Sequence, residues 1–196
     1  LLQKRPTIFY FGERNDVINK KTLSIWERKG RIGFIGLGNM GSAIAMRLTK
    51  PRIDGLPLMV YDPDSIKLAP FIEKGAIAAK SSLELCKSCD IIFACLPTSA
   101  VTETVLFGDA GISSDLKPGQ IFVDMTSGDP AISRDQAARL AEAGVIFVDA
   151  PVSGGPRGAR EGTIAIMVGG EDKLYEQILP TLKVISSNIF HAGPVG

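Results

Sequence analysis

"RIGFIGLGNMG", residues 31–41, is the stretch from which the rest of the chain can be read. A short apolar run leads straight into Gly36, Gly38 and Gly41, which have G-x-G-x-x-G spacing, and a segment of helical period follows. The order strand, glycine turn, helix has a physical reason. The first glycine permits the tight turn, the second lets a pyrophosphate approach the backbone, and the third lets helix and strand pack closely. The helix N-terminus adds unpaired N–H groups and the positive end of its dipole. The spacing alone is a weak signal, because glycine turns without a ligand are common. A second residue strengthens it: Asp62 closes the next apolar run, "PLMVYD" (57–62), 21 residues beyond Gly41. There a carboxylate accepts hydrogen bonds from the adenine-ribose hydroxyls and repels a 2′-phosphate, so the pair points to NAD in preference to NADP. The competing reading has Asp62 starting a turn before Pro63. Asp64 is an alternative acid, better suited to capping the following helix.

Outward from this loop the chain alternates short apolar runs with segments of helical period, the pattern of a parallel sheet covered by helices. Strands are predicted over 31–36, 57–62, 90–97, 120–125, 145–150, 163–170 and 188–193, and helices over 39–49, 64–74, 81–88, 98–106, 130–143 and 171–183. The strands are apolar throughout, as strands buried on both faces must be. Ser81 with Glu84 has capping-box spacing. The fold expected is α/β, a Rossmann-type doubly wound and mostly parallel sheet. Residues 1–30 read as an N-terminal extension and 31–196 as one dinucleotide-binding domain.

Bulk properties agree with a small-molecule partner. The 196 residues carry a formal net charge of +1, with 45% hydrophobic and 22% charged residues, so there is no basic field to attract nucleic acid. No run reaches the roughly 18 apolar residues of a membrane span. Three cysteines, an odd number in a domain of this size, favour free thiols over a disulfide framework. Cys86 and Cys89 form a CxxC, but a zinc site needs two more ligands, and Cys95 and His191 would have to converge from separate strands. No metal site is expected. The first thirty residues hold seven Lys or Arg against Glu13, Asp16 and Glu27, with "TIFYF" (7–11) able to add a strand. Such a basic tract can be what remains of an organelle transit peptide, but those are poor in acids and rich in serine, and the plainer reading is a partly ordered extension.

Taken together, "FIGLGNMG" (34–41), "ACLPTS" (94–99), "VDMTSGD" (123–129), "DAPVSGG" (149–155) and "EGTIAIMVGG" (161–170) resemble the 3-hydroxyacid dehydrogenase family, typified by 3-hydroxyisobutyrate dehydrogenase, over about 31–196. The resemblance implies that Gly36, Leu37, Gly38, Asn39, Met40 and Gly41 cradle the pyrophosphate. It implies that Leu96 and Pro97 pack beside the cofactor and that Thr126 contacts its nicotinamide half. Ser153, Gly154 and Gly155 would form the substrate loop, whose hydroxyl and bare N–H groups suit the carboxylate of a short hydroxy acid. A glycine-rich loop after a buried strand fits that role independently, because open α/β sheets bind ligands there. Met125 departs from the family's serine, which leaves open whether Thr126 or Ser127 meets the cofactor. Arg157 and Arg160 add charge beside the substrate loop, either for an acidic substrate or as solvated surface residues.

The family's general acid/base is a lysine on a long helix, expected here beyond Gly196, so no catalytic residue is assigned within the chain. An all-helical domain is expected to follow, to close the cleft and to make a homo-oligomer. Without it, an apolar face should stand exposed. The implied reaction is NAD-dependent oxidation of a 3-hydroxy carboxylate. Semialdehyde reduction of the tartronate or glyoxylate type, or a non-catalytic nucleotide-binding module, are the alternatives. The implied compartment is mitochondrial, with the cytoplasm as alternative.

Overall fold

The structure, a computed structural model, describes residues 30–50 and 55–196; the strand expected over 7–11 lies outside the described residues. Strands β1 (Ile32–Ile35), β2 (Met59–Tyr61), β3 (Ile77–Ala78), β4 (Ile91–Ala94), β5 (Ile121–Asp124) and β6 (Ile146–Asp149) run parallel in the order 3-2-1-4-5-6. Beyond β6 the sheet changes direction. β8 (Ala165–Gly169) is antiparallel to β6 and to the short β7 (Val152–Ser153), and β9 (Asn188–Gly193) is parallel to β8. The helices are α1 (Asn39–Leu48), α2 (Ala69–Ile72), α3 (Ser82–Ser88), α4 (Ser99–Phe107), α5 (Pro130–Glu142), α6 (Gly155–Glu161) and α7 (Asp172–Ile185).

The central strands β1, β4 and β5 are almost wholly apolar because each is buried on both faces and feeds two cores. Ile32, Phe34, Ile91, Phe93, Ile121 and Val123 point into one, shared with α1, α6 and α7. Ile35, Ile92, Ala94 and Phe122 point into the other, with Leu85, Leu106 and Leu140 from α3, α4 and α5. Successive strand residues alternate between faces, so full burial on both sides leaves no polar position within the strand. Phe34 stacks on Phe93 in the first core at 6.3 Å, and Phe122 on Phe147 in the second at 5.9 Å. Gly33 interrupts β1 for a packing reason: a Cβ there would run into the side chains of Leu85 and Cys89.

Four elements differ from the sequence expectation. The helix predicted over 64–74 is a 3₁₀ turn, Ser65–Leu68, followed by the single turn α2, with Pro70 near its start. Proline has no N–H to donate and clashes with the preceding turn, which favours a break here, although the longer α7 does continue through Pro180. β3 and β7 have two residues each, too short for a period of two to register. α6 lies where a loop was expected, in a segment rich in Gly and Pro. Tertiary contacts hold it: Ala159 is buried, and Arg47 of α1 donates to the carbonyls of Arg160 and Val184 at 3.1 Å each, tying α1, α6 and α7 together. Packing has overridden a poor intrinsic helix propensity.

On the outer strands one sheet face is uncovered. Met167 of β8 and Phe190 of β9 are register partners, and Phe190 is 56% exposed.

Candidate functional site

In this strand order the chain leaves β1 toward β2 and β3, then returns to place β4 on the other side of β1. That reversal opens a crevice at the carboxyl ends of β1 and β4, where open α/β sheets bind ligands. A cavity of about 590 Å³ occupies it, lined by the glycine loop, Asp62, Lys67, Leu96 and Pro97, with Val101 of α4 on the far wall. A larger groove of about 870 Å³ opens between α5, α7 and the end of β9, but it contains none of these groups. The convergent polar chemistry belongs to the smaller cavity.

The three glycines of the loop are required for different reasons. Gly36 has φ +92°, and a Cβ on it would lie 2.5 Å from the Cys95 carbonyl oxygen. Gly41 sits so close to β1 that a Cβ would overlap the Gly36 carbonyl oxygen. Gly38 differs: its φ of −66° suits any residue, and a Cβ would meet nothing within 4 Å. The fold therefore demands Gly36 and Gly41, whereas the space over Gly38 faces the cavity. Gly38 caps α1 without a side-chain hydrogen bond, and the first helical bond is donated by the Ser42 N–H to the Gly38 carbonyl at 2.8 Å. The N–H groups of Asn39, Met40 and Gly41 thus have no acceptor within the helix, an arrangement that receives phosphate oxygens.

Asp62 is wired into this loop. Its Oδ2 accepts the Leu37 N–H at 2.7 Å, and its Oδ1 accepts the Asp64 N–H at 3.0 Å and the Lys67 ammonium at 3.1 Å. The side chain is 6% exposed. Burial pushes its carboxyl up, but the two backbone donors and Lys67 outweigh it and hold the group below the usual carboxylate range. A carboxylate offers about four acceptor positions, and three are taken, so one on Oδ2 is left for a sugar hydroxyl. Asp64 caps the next turn, its Oδ1 accepting the Ile66 N–H at 3.2 Å. Lys67 was missed in the sequence because it falls inside a predicted helix, five residues past Asp62, with nothing local to mark it.

Leu96 and Pro97 form the third wall, in the turn between β4 and α4. Thr126 braces that turn: its hydroxyl accepts the Leu96 N–H at 3.0 Å and lies 3.4 Å from the Thr102 hydroxyl. Its own N–H donates to Asp124 Oδ1 at 3.0 Å, and the side chain is buried. Its hydroxyl thus serves the protein interior, while Ser127 beside it is exposed. Burial raises the Asp124 carboxyl above its ordinary value, in spite of hydrogen bonds from Thr126 and Thr102, and the nearby Asp149 charge adds to the rise.

Ser153 ends β7, Gly154 caps α6 and Gly155 opens it, all three exposed and beyond the carboxyl end of β6. Gly154 and Gly155 have φ of +126° and +68°, a region glycine enters without strain, and nothing lies within 4 Å of a Cβ placed on Gly155. These residues stand apart from the residues lining the cavity. Arg157 pairs with Glu161 at 2.9 Å and is mostly solvated.

Among the remaining groups that the sequence marked, Cys86 and Cys89 are buried in the α3 core, where burial pushes their thiols up to about 11 and about 12. His191 has its Nε2 2.7 Å from the Gly170 carbonyl oxygen and stacks on Tyr175 at 4.6 Å, in the larger groove.

Comparison with known proteins agrees with this geometry. Residues 31–193 match the family described as the NAD binding domain of 6-phosphogluconate dehydrogenase. The chain is 40% identical over 170 residues to 2-(hydroxymethyl)glutarate dehydrogenase of Eubacterium barkeri, covering 87% of this chain and 56% of that protein. Among solved structures, the 3-hydroxyisobutyrate dehydrogenase of Mycobacterium tuberculosis with L-serine superposes with a TM-score of 0.77 at 28% identity, over 85% of this chain and 55% of that one. An imine reductase from Myxococcus stipitatus in complex with NADP⁺ gives 0.76 at 26% identity, over 85% and 56%. The chain thus spans little more than half the length of these relatives. With the glycine loop, Asp62 and the Leu96–Pro97 turn meeting at one crevice, and with these matches along 31–193, the chain belongs to the 3-hydroxyacid dehydrogenase family and comprises its N-terminal NAD-binding domain.

Proposed function

We propose that this domain holds NAD for a protein that oxidises a short 3-hydroxy carboxylate. The observation that carries the reading is the meeting of three chain segments at one cavity: the glycine loop with its unpaired N–H groups, Asp62 with one acceptor position left, and the Leu96–Pro97 wall. Asn39, Met40 and Gly41 would receive the pyrophosphate, Asp62 a ribose hydroxyl, and the apolar wall the rings. Bound there, the cofactor supplies a hydride acceptor. Ser153 and the N–H groups of Gly154 and Gly155 would take the substrate carboxylate, turning the hydroxyl-bearing carbon toward the cleft. Loss of hydride from that carbon and of the proton from its hydroxyl leaves a carbonyl. We assign the proton to a lysine in the part of the relatives that this chain does not span, because a partly desolvated ammonium can be tuned to neutral pH. The same site run in reverse reduces a semialdehyde, and the named activities of relatives support a hydroxy acid carrying one or two carboxylates.

The test has two arms. Equilibrium titration should give saturable NAD binding tighter than NADP, with the preference lost in Asp62→Ala; absence of binding to either nucleotide would sink the cofactor reading. Reduction of NAD, followed by absorbance over a panel of 3-hydroxy and 2-hydroxy acids with the full-length protein, should favour the 3-hydroxy series. A preference for 2-hydroxy acids would overturn the substrate class.

A further inference from the structure

The charge arrangement around Asp62 bears on which nucleotide the cavity admits. Lys67 belongs to the turn Ser65–Leu68, and its ammonium lies 3.1 Å from Asp62 Oδ1 and 3.9 Å from Asp64 Oδ2. Its side chain is 40% exposed, against 6% for Asp62, and both residues line the cavity. Among the described residues that line the cavity, Lys67 is the one cation; the other charged members are Asp62 and Asp109. The aspartate expected to meet the ribose 2′-hydroxyl is therefore paired with a partly exposed ammonium.

This alters how an extra phosphate is received. The ribose of NAD needs only the remaining acceptor position on Asp62 Oδ2, and Lys67 can stay where it is. A 2′-phosphate brings a charge of about −2 toward Asp62 and Asp64, and repulsion from two carboxylates would exclude it without a counter-charge. The 3.9 Å contact to Asp64 is long and solvated, so giving it up costs little. The ammonium can then pair with the phosphate while remaining near Asp62. Exposed lysines form such pairs as flexible point charges, without the fixed geometry of an arginine fork.

From this geometry we propose that Lys67 is a specificity-determining residue, which lets the cavity accept NADP as well as NAD, with NAD the tighter. The proposal rests on reading the cavity as the dinucleotide site. It makes the preference for NAD a narrow one, set by the balance of one lysine against two aspartates. Removal of the cation should sharpen the preference.

The experiment is a titration of the purified protein with NAD and with NADP, at low and at high salt, for the wild type, Lys67→Met and Lys67→Arg. Lys67→Met keeps the aliphatic stem, and circular dichroism checks that each variant is folded. The wild type should bind both nucleotides, with NADP weakening more steeply as salt rises, since a solvated ion pair is screened. In Lys67→Met the ratio of NADP to NAD affinity should fall by about tenfold, equivalent to roughly 1.4 kcal/mol, and Lys67→Arg should retain NADP. A merely structural role for Lys67 would weaken both nucleotides together. The proposal is overturned if the NADP-to-NAD ratio does not move in Lys67→Met, or if the wild type binds NAD and not NADP. Binding of neither nucleotide by a folded wild type would remove the cofactor reading itself.

Discussion

At the scale of single residues, the glycine loop separates what the fold needs from what a ligand needs. Gly41 has no room for a Cβ, whereas Gly38 has ordinary backbone angles and open space above it. Gly41→Ala should therefore destabilise the protein by about 1–3 kcal/mol or more, as overpacking against rigid backbone does. Gly38→Ala should leave the thermal midpoint close to wild type and weaken NAD by about tenfold or more if the pyrophosphate sits where we propose, because its methyl group would project there. Thermal melts with titrations on the same two samples decide this. Equal destabilisation would refute the distinction.

Two buried aspartates make opposite pH predictions. The Asp62 carboxyl is held below its ordinary value, so its contribution to stability is present above the unfolded-state pKa and is lost as pH falls through the depressed folded value. Asp124 is raised, chiefly by burial, so folding prefers its protonated form, and that preference is lost as pH rises through the raised value. Asp124→Asn keeps an acceptor for the Thr126 N–H and removes the charge. Relative to wild type, it should gain stability as pH rises from the ordinary carboxylate range to neutrality. Urea titrations at several pH values measure the difference, and a difference that does not change with pH would contradict the assignment.

At the scale of elements, the helix termini show which local signals act as read. Ser81 caps α3 by accepting the Glu84 N–H at 3.1 Å, and Glu84 reaches back to the Lys80 N–H at 2.6 Å, one residue earlier than a standard capping box. Ser81→Ala should cost about 1 kcal/mol. For a domain of this size that is a fall of roughly 2–4 °C in the melting midpoint. Thermal melts of wild type and variant measure it, and an unchanged midpoint would show that the cap contributes nothing. α6 follows the contrary rule: its glycines and proline argue against a helix, and its docking on α1 and α7 supplies what propensity lacks.

At the scale of the whole molecule, the cavity is built from segments distant in the chain that converge at the sheet's reversal point, so a ligand there ties those segments together. NAD at a hundredfold excess over its Kd should add about 2.7 kcal/mol of stability. The corresponding rise in melting midpoint is roughly 5–10 °C. Scanning fluorimetry with and without NAD measures it, and no shift at saturation would count against the site. Met167 and Phe190 stand exposed side by side on β8 and β9.

What the sequence by itself determined was whatever local repetition and special residues encode. The apolar runs registered as strands because both sheet faces are buried, and the glycine spacing and Asp62 registered because turn geometry and a ribose carboxylate have short-range signatures. β3 and β7 escaped for want of length, and the reversal at β8 escaped because strand direction depends on a pairing partner and not on the strand's own residues. Only the tertiary structure decided that the Thr126 hydroxyl faces the Leu96 N–H while Ser127 faces outward, and that Lys67 sits against Asp62. Both depend on where a turn points its side chains, which is set by contacts across the fold; neighbouring residues in the chain do not specify it.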